Sequence, residues 1–232
     1  MLGLLDLLLP SACVGCGGRG ASFCAGCLGV LTGAPARRGP RPGPAGLPDC
    51  WSAAPYEGAV RTAIVAYKER GAVTLAGVLA EALTVTAVAA ARVPGHGAWA
   101  GGRFAVVPVP SSRRSVRARG HDAVGRLAVL LTRRLRALGL DARPWPALRH
   151  ARGVADQAGL SSTERLANLK GSLQVGPAAK SPPARAALLV DDVVTTGATL
   201  AEAAGALRAA GVAVPAAVTV GATRRISWKT LR

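Results

Sequence analysis

The sequence predicts an α/β protein, a parallel sheet flanked by helices, with a small metal-binding module ahead of it. Three observations carry this. An apolar run over 186–190 (AALLV), a helical stretch over 198–210 stopped by Gly211, and a second apolar run over 213–220 follow in that order. Strand, helix, strand in one sheet means a parallel crossover. Four of the five cysteines fall within fifteen residues, as Cys13, Cys16, Cys24 and Cys27. Third, in 188–200 (LLVDDVVTTGATL) a strand runs into two acids and a small-residue turn that opens a helix.

The opening stretch 1–10 (MLGLLDLLLP) is leucine-rich, but no basic residue precedes it and Asp6 interrupts it. It is shorter than a membrane span, so an amphipathic helix beside the next module is expected rather than a signal peptide. The cysteines form two Cys-x-x-Cys knuckles, and their glycines give the tight turns freedom to aim each pair of sulfurs at one point. Four thiolates make a closed tetrahedral site, the structural zinc arrangement, with no open position for catalysis. Two disulfides or a redox pair are the competing readings. The first lacks a secretion signal, and the second lacks a thioredoxin-like βαβ unit around the motif. Few apolar residues surround the knuckles, so metal binding is expected to supply the module's folding energy. Cys50 reads as a buried thiol outside this set.

The stretch 33–48 (GAPARRGPRPGPAGLP) is too rich in proline for a helix or central strand. The expected division is therefore a zinc ribbon over 1–33, a linker over 34–48 and a larger domain over 49–232. In that domain, 60–68 and 74–92 read as helices. The run 71–93 is long enough to cross a bilayer, but Glu81 sits at its centre. A central carboxylate costs about 2.5–3.5 kcal/mol on insertion scales, so a buried helix, no stable membrane insertion and a cytoplasmic location are expected. Next come a short strand over 104–109 (FAVVPV) and an amphipathic helix over 122–138. Leu127, Leu130, Leu131 and Leu138 are assigned to one face of that helix and arginines to the other.

Half the residues are hydrophobic, which excludes a mostly disordered chain. Basic residues outnumber acidic ones 29 to 12, for a net charge of +17. Nearly all are arginine, and alanine, glycine and proline abound, so the charge is partly the coding habit of a GC-rich genome. Such a surface still attracts polyanions: phosphorylated metabolites, nucleic acid or anionic lipid.

The segment 188–200 carries the chemistry. Its turn, Thr195, Thr196, Gly197, Ala198 and Thr199, lies at the carboxyl end of a strand, where open α/β sheets bind ligands. Unpaired amides and the helix dipole there stabilise a phosphate, threonine hydroxyls add donors, and Gly197 admits close approach. Asp191 and Asp192 repel a phosphate but accept hydrogen bonds from sugar hydroxyls or bind a magnesium ion beside it. Together they describe a pocket for a ribose 5-phosphate. A P-loop would need Gly-Lys-Ser/Thr, which does not follow. A strand–turn–helix with a threonine cap accounts for one threonine and leaves the paired acids unexplained.

DDVVTTGATL resembles the phosphoribosyl pyrophosphate (PRPP) loop of type I phosphoribosyltransferases. Over most of the chain the motifs resemble those of the ComF/GntX-like proteins, which join a four-cysteine zinc ribbon to a phosphoribosyltransferase-fold domain. The matching pieces are CVGCG…CAGC, Tyr56-Glu57-Gly58, Tyr67-Lys68-x-x-Gly71, Val107-Pro108-Val109-Pro110 followed by Arg119-Gly120, Gln157-x-x-Leu160 with Arg165 and Asn168, and the PRPP loop. The resemblance implies a type I phosphoribosyltransferase fold, with Asp191 and Asp192 on the ribose 2′ and 3′ hydroxyls and Thr195 to Thr199 on the 5′-phosphate. It implies a pyrophosphate loop at Pro110, Ser111 and Ser112, with Lys68 a second anion contact and Arg119 nearby. It also implies a mobile segment over 149–168, including Arg152, Gln157 and Arg165, that closes over PRPP. Implied cofactors are structural Zn2+ on the four cysteines and Mg2+ with PRPP. Where the family has Arg-Gly-Phe-Asn, this chain has Arg119-Gly120-His121-Asp122. His121 could titrate near neutral pH and is expected to be a substituted surface residue.

Three functions are consistent with these features. One is phosphoribosyl transfer from PRPP to an acceptor the sequence does not reveal. The second is a non-catalytic competence factor binding single-stranded DNA or competence and helicase proteins, through the arginine-rich stretch 113–119 (RRSVRAR). The third is a PRPP-sensing regulator. Eight aromatic residues are few for a base-stacking platform. Oligomeric state is left open.

Overall fold

The computed structural model describes residues 12–93, 101–151, 171–179 and 181–223. The helix expected over 1–10 lies outside the described residues. The mostly parallel α/β sheet flanked by helices is the architecture expected.

The main sheet has six strands in the order β1-β2-β8-β7-β3-β4. They are β1 (Ala36–Arg37), β2 (Asp49–Pro55), β3 (Phe104–Pro108), β4 (Ala142–Pro144), β7 (Ala186–Val194) and β8 (Ala213–Ala222). All neighbours are parallel except the edge pair β1–β2. A separate antiparallel ribbon joins β5 (Leu148–His150) to β6 (Leu173–Val175). The helices are α1 (Ala25–Thr32), α2 (Gly58–Glu69), α3 (Ala76–Ala91), α4 (Arg113–Arg119), α5 (Ala123–Ala137) and α6 (Ala198–Ala209).

Strand alternation splits the core into two layers. On β7, Leu188 and Val190 face the core built with α1, α2, α3 and α5, which contains Leu31, Ile64, Leu79, Leu83, Leu127 and Leu131. Ala187 and Leu189 face the other layer, where Leu200, Ala203 and Leu207 of α6 meet Trp145, Leu148 and Leu173 of the ribbon region. A strand buried on both faces explains the continuous apolar run in the sequence. Among the described residues one helical stretch, Val73–Ala91, is long and apolar enough to span a bilayer. It packs as a core helix, with Leu79, Leu83 and Ala87 buried, and its Glu81 pairs with Arg134 of α5.

The outcome differs from the sequence expectation in several places. On α5 the buried stripe is Leu127, Leu131 and Leu135, whereas Leu138 is 61% exposed. The helix ends at Ala137, so Leu138 leaves the helical period before it can turn inward. Within the proline-rich stretch, Ala36–Arg37 pairs with β2, and Arg38 N–H donates to Cys50 O at 2.9 Å. An edge strand tolerates prolines around it because its outer amides need no partner. The strands expected over 186–190 and 213–220 run on to Val194 and Ala222.

Candidate functional site

β7 leads to α6 and then β8 on one side, while β3 leads to β4 on the other. The order in which strands are added therefore reverses between the carboxyl ends of the parallel strands β3 and β7, and such a switch point is where an α/β sheet opens a ligand crevice. The turn after β3 and the turn after β7 flank it. Val109 N–H donates to Val190 O at 2.9 Å, tying the two together.

After β7 the chain turns through Thr195 and Thr196, both exposed, to Gly197, the N-cap of α6. Gly197 has φ +75°, and a Cβ there would lie 3.0 Å from Leu47 and 3.1 Å from Pro40. Only glycine fits both the left-handed backbone and the strap of residues 40–47 pressed against it. The strap is further held by Arg208 of α6, whose guanidinium donates to Gly46 O. Among the described residues no side chain caps the helix, and Ala198 N–H meets Thr196 Oγ1 at a long 3.4 Å. First-turn amides are thus left for an anion at the positive end of the helix dipole. Asp191 and residues Thr195 to Thr199 line one shallow hollow.

Asp192 opens on a neighbouring cleft of about 270 Å³, lined also by Tyr56, Ile64, Lys68, Glu69 and Thr195. Thr195 borders both spaces. Asp192 is buried and its carboxylate holds Lys68 Nζ at 2.7 Å. Its N–H donates to Asp191 Oδ1 at 2.8 Å. Burial, then the charge and side chain of Asp192, push the Asp191 carboxyl well above the usual range; the Asp192 amide and Lys68 oppose this. This donor set does not fit a resident magnesium. One carboxylate already carries an ammonium, and burial beside Asp192 pushes the other toward its protonated form, whereas magnesium needs deprotonated oxygens in octahedral array.

The turn after β3 is differently engaged. Ser112 caps α4 by accepting from Ser115 N–H, and Ser111 donates to Asp122. Pro110 O accepts from His150 Nε2, and Arg119 Nε donates to Ser115 O. The hydroxyls of Ser111 and Ser112, the Pro110 carbonyl and the Arg119 Nε are thus engaged within the protein. His121 is a correction to the sequence expectation. Rather than a surface residue, it packs edge-on against Tyr67 at 5.7 Å and donates Nδ1–H to Arg119 O, while Nε2 is buried with no partner among the described residues. Tyr67 is fully buried and donates to Ala123 O, joining α2 to α5. Burial pushes its hydroxyl up to about 12. Arg152, Gln157, Arg165 and the rest of 152–170 lie outside the described residues. Glu69 and the strap residues Pro40 and Leu47 carried no signal in the sequence, since nothing local marks which loop will lie over which helix.

The four cysteines converge as expected, with ligand atoms all within 4.8 Å of one another. Cys13 and Cys27, and likewise Cys16 and Cys24, have sulfurs 3.7 Å apart. Four sulfurs at about 2.3 Å from a zinc ion lie about 3.8 Å from one another, so the cluster fits that metal. The separation is far beyond a disulfide. Gly15 is obligatory, because a Cβ there would lie 2.7 Å from Cys27 Sγ. Amide hydrogens of Cys24 and Cys16 bring the Cys13 thiol down to about 6, while burial and the adjoining thiols push Cys27 upward. Cys50 is separate and buried, its thiol pushed up to about 12 by desolvation. It belongs to no metal cluster among the described residues.

Sheet, turn and thiols define a class: an α/β protein with a cluster of four cysteines that fits a metal ion and a helix N-terminus without a side-chain cap at the switch point of its sheet. The chain is similar to competence protein F of Haemophilus influenzae, at 33% identity over 108 residues, covering 47% of this chain and 45% of that protein. The resemblance to ComF-type proteins read from the motifs is borne out by this match and by the cysteine cluster. The matched part spans less than half the length of that relative. No family model matches the chain.

Proposed function

We propose that this protein binds PRPP in the cytoplasm and transfers its phosphoribosyl group to an acceptor. The observation that carries the reading is the uncapped N-terminus of α6 beside the Asp191–Asp192 pair at the switch point. Amides and hydroxyls of Thr195 to Thr199 hold the 5′-phosphate, and the two acids accept from the ribose hydroxyls. The bond from C1 to the pyrophosphate oxygen breaks, a bond from C1 to the acceptor forms, and pyrophosphate leaves with its magnesium as part of the substrate. No side chain is assigned as general base, because positioning and charge stabilisation carry much of such a reaction. Calorimetry with magnesium–PRPP, followed by pyrophosphate release across bases and amines, tests this. Asp191→Asn is expected to weaken PRPP at least tenfold, and an unchanged affinity would refute the assignment.

A second reading, supported by the relative's name and one surface, is a competence factor that handles single-stranded DNA. On α5, Arg126, Arg133 and Arg136 are exposed at helical spacing, and Arg117 of the preceding helix α4 is exposed as well. Such a stripe suits a phosphate backbone. Replacing these four with glutamine is expected to flatten the salt dependence of oligonucleotide binding, by about 0.7 for each phosphate no longer neutralised. Binding that ignores salt in the unaltered protein would count against this reading. A PRPP-sensing role would show as oligonucleotide affinity that changes with PRPP and no turnover.

A further inference from the structure

The ion pair at the strand end has a use that the phosphate turn does not explain. Lys68 lies in the last turn of α2, 124 residues before Asp192, and packing brings its ammonium to 2.7 Å from Asp192 Oδ2. Asp192 keeps only 8% of its side chain exposed, and Lys68 31%. Among the described residues, Lys68 is the cation lining the cleft, which otherwise presents Glu69 and Asp192 and adjoins Asp191. An anionic guest arriving here meets carboxylates first, and in many sugar-phosphate sites a divalent ion offsets that repulsion. Here an ammonium already stands on the carboxylate, leaving the other carboxylate oxygen to accept from a sugar hydroxyl. Lysine is suited to this task, being a compact point charge on a flexible stem that can lean from acid to ligand.

We infer that Lys68 is the site's built-in counter-cation, standing on Asp192 where a divalent metal would otherwise be required, so that a sugar 5-phosphate binds without magnesium. This rests on the sugar-phosphate reading of the turn and goes beyond it by assigning the charge balance to a residue. Magnesium is then needed only for the diphosphate that PRPP carries in addition.

The test is calorimetric titration of ribose 5-phosphate into the full chain, with equimolar zinc kept present, with and without magnesium. Wild-type affinity is expected to change less than twofold on adding magnesium. Lys68→Met is expected to bind at least tenfold more weakly without magnesium and to regain affinity with it. Lys68→Met/Asp192→Asn, which removes the exposed charge, is expected to lose the magnesium response. Wild-type binding that requires magnesium overturns the inference while keeping the sugar-phosphate reading. So does a Lys68→Met protein as tight as wild type in magnesium-free buffer. If the wild type binds no ribose 5-phosphate under either condition, both fall. Should Lys68→Met fail to fold, the wild-type comparison decides alone.

Discussion

Desolvation and the neighbouring Asp192 push the Asp191 carboxyl well above the ordinary carboxylate range. The folded chain therefore binds that proton more tightly than the unfolded chain. Stability from this group is full at low pH and is lost as pH rises from the unfolded value, about 4, toward the folded one. Asp191→Asn is expected to melt higher than wild type at pH 8, with the gap closing by pH 4, even as it loses PRPP. Melting curves across that range check it, and a variant less stable at pH 8 would contradict the burial account. The acids were legible in the sequence because two adjacent carboxylates ending an apolar strand have no packing use. Their partner Lys68 was legible only as a basic residue in a family-like stretch. Its pairing with Asp192 spans 124 positions, and nothing in local pattern encodes that.

Elements tell a similar story at longer range. In α6, Gly197 and Gly205 look alike in sequence, yet they differ physically. Gly197 has φ +75° and is pressed by Leu47 and Pro40, whereas Gly205 is exposed in mid-helix, with nothing within 4 Å of an added Cβ. Gly197→Ala is expected to destabilise by about 1–2 kcal/mol and to abolish phosphate binding, through strain and displacement of the strap. Gly205→Ala is expected to stabilise by about 0.5–1 kcal/mol with binding intact. Chemical denaturation with a phosphate titration separates the two, and equal effects would refute the strap's close approach. Long periodic elements, such as α3 and α5, were legible because 3.6-residue spacing is local. The ribbon β5–β6 and the three-residue β4 were not, since strands this short carry no period and exist only because a neighbour pairs with them.

At the scale of the whole molecule, the cysteine module is not an appendage hanging free. Leu31 of α1 is completely buried in the core shared by α2, α3 and α5, and a Cβ on Gly15 would lie only 3.1 Å from Ala59 Cβ of α2. Metal removal should then be felt by the larger domain. Stripping zinc with a thiol-competing chelator is expected to lower the melting temperature of the entire chain in one transition, by roughly 5 °C or more. Two separate transitions, with the upper one unmoved, would show that the module melts alone. By itself, the sequence determined the alternation of strand and helix, the four-thiol set and the acid–threonine turn. Each is written in spacings of a few residues and in side-chain chemistry that admits few uses. Only the tertiary structure decided that Lys68 sits on Asp192, that a proline-rich strap walls the turn, and that α1 joins the main core. Those are meetings between distant stretches, fixed by which apolar faces find one another when the sheet assembles.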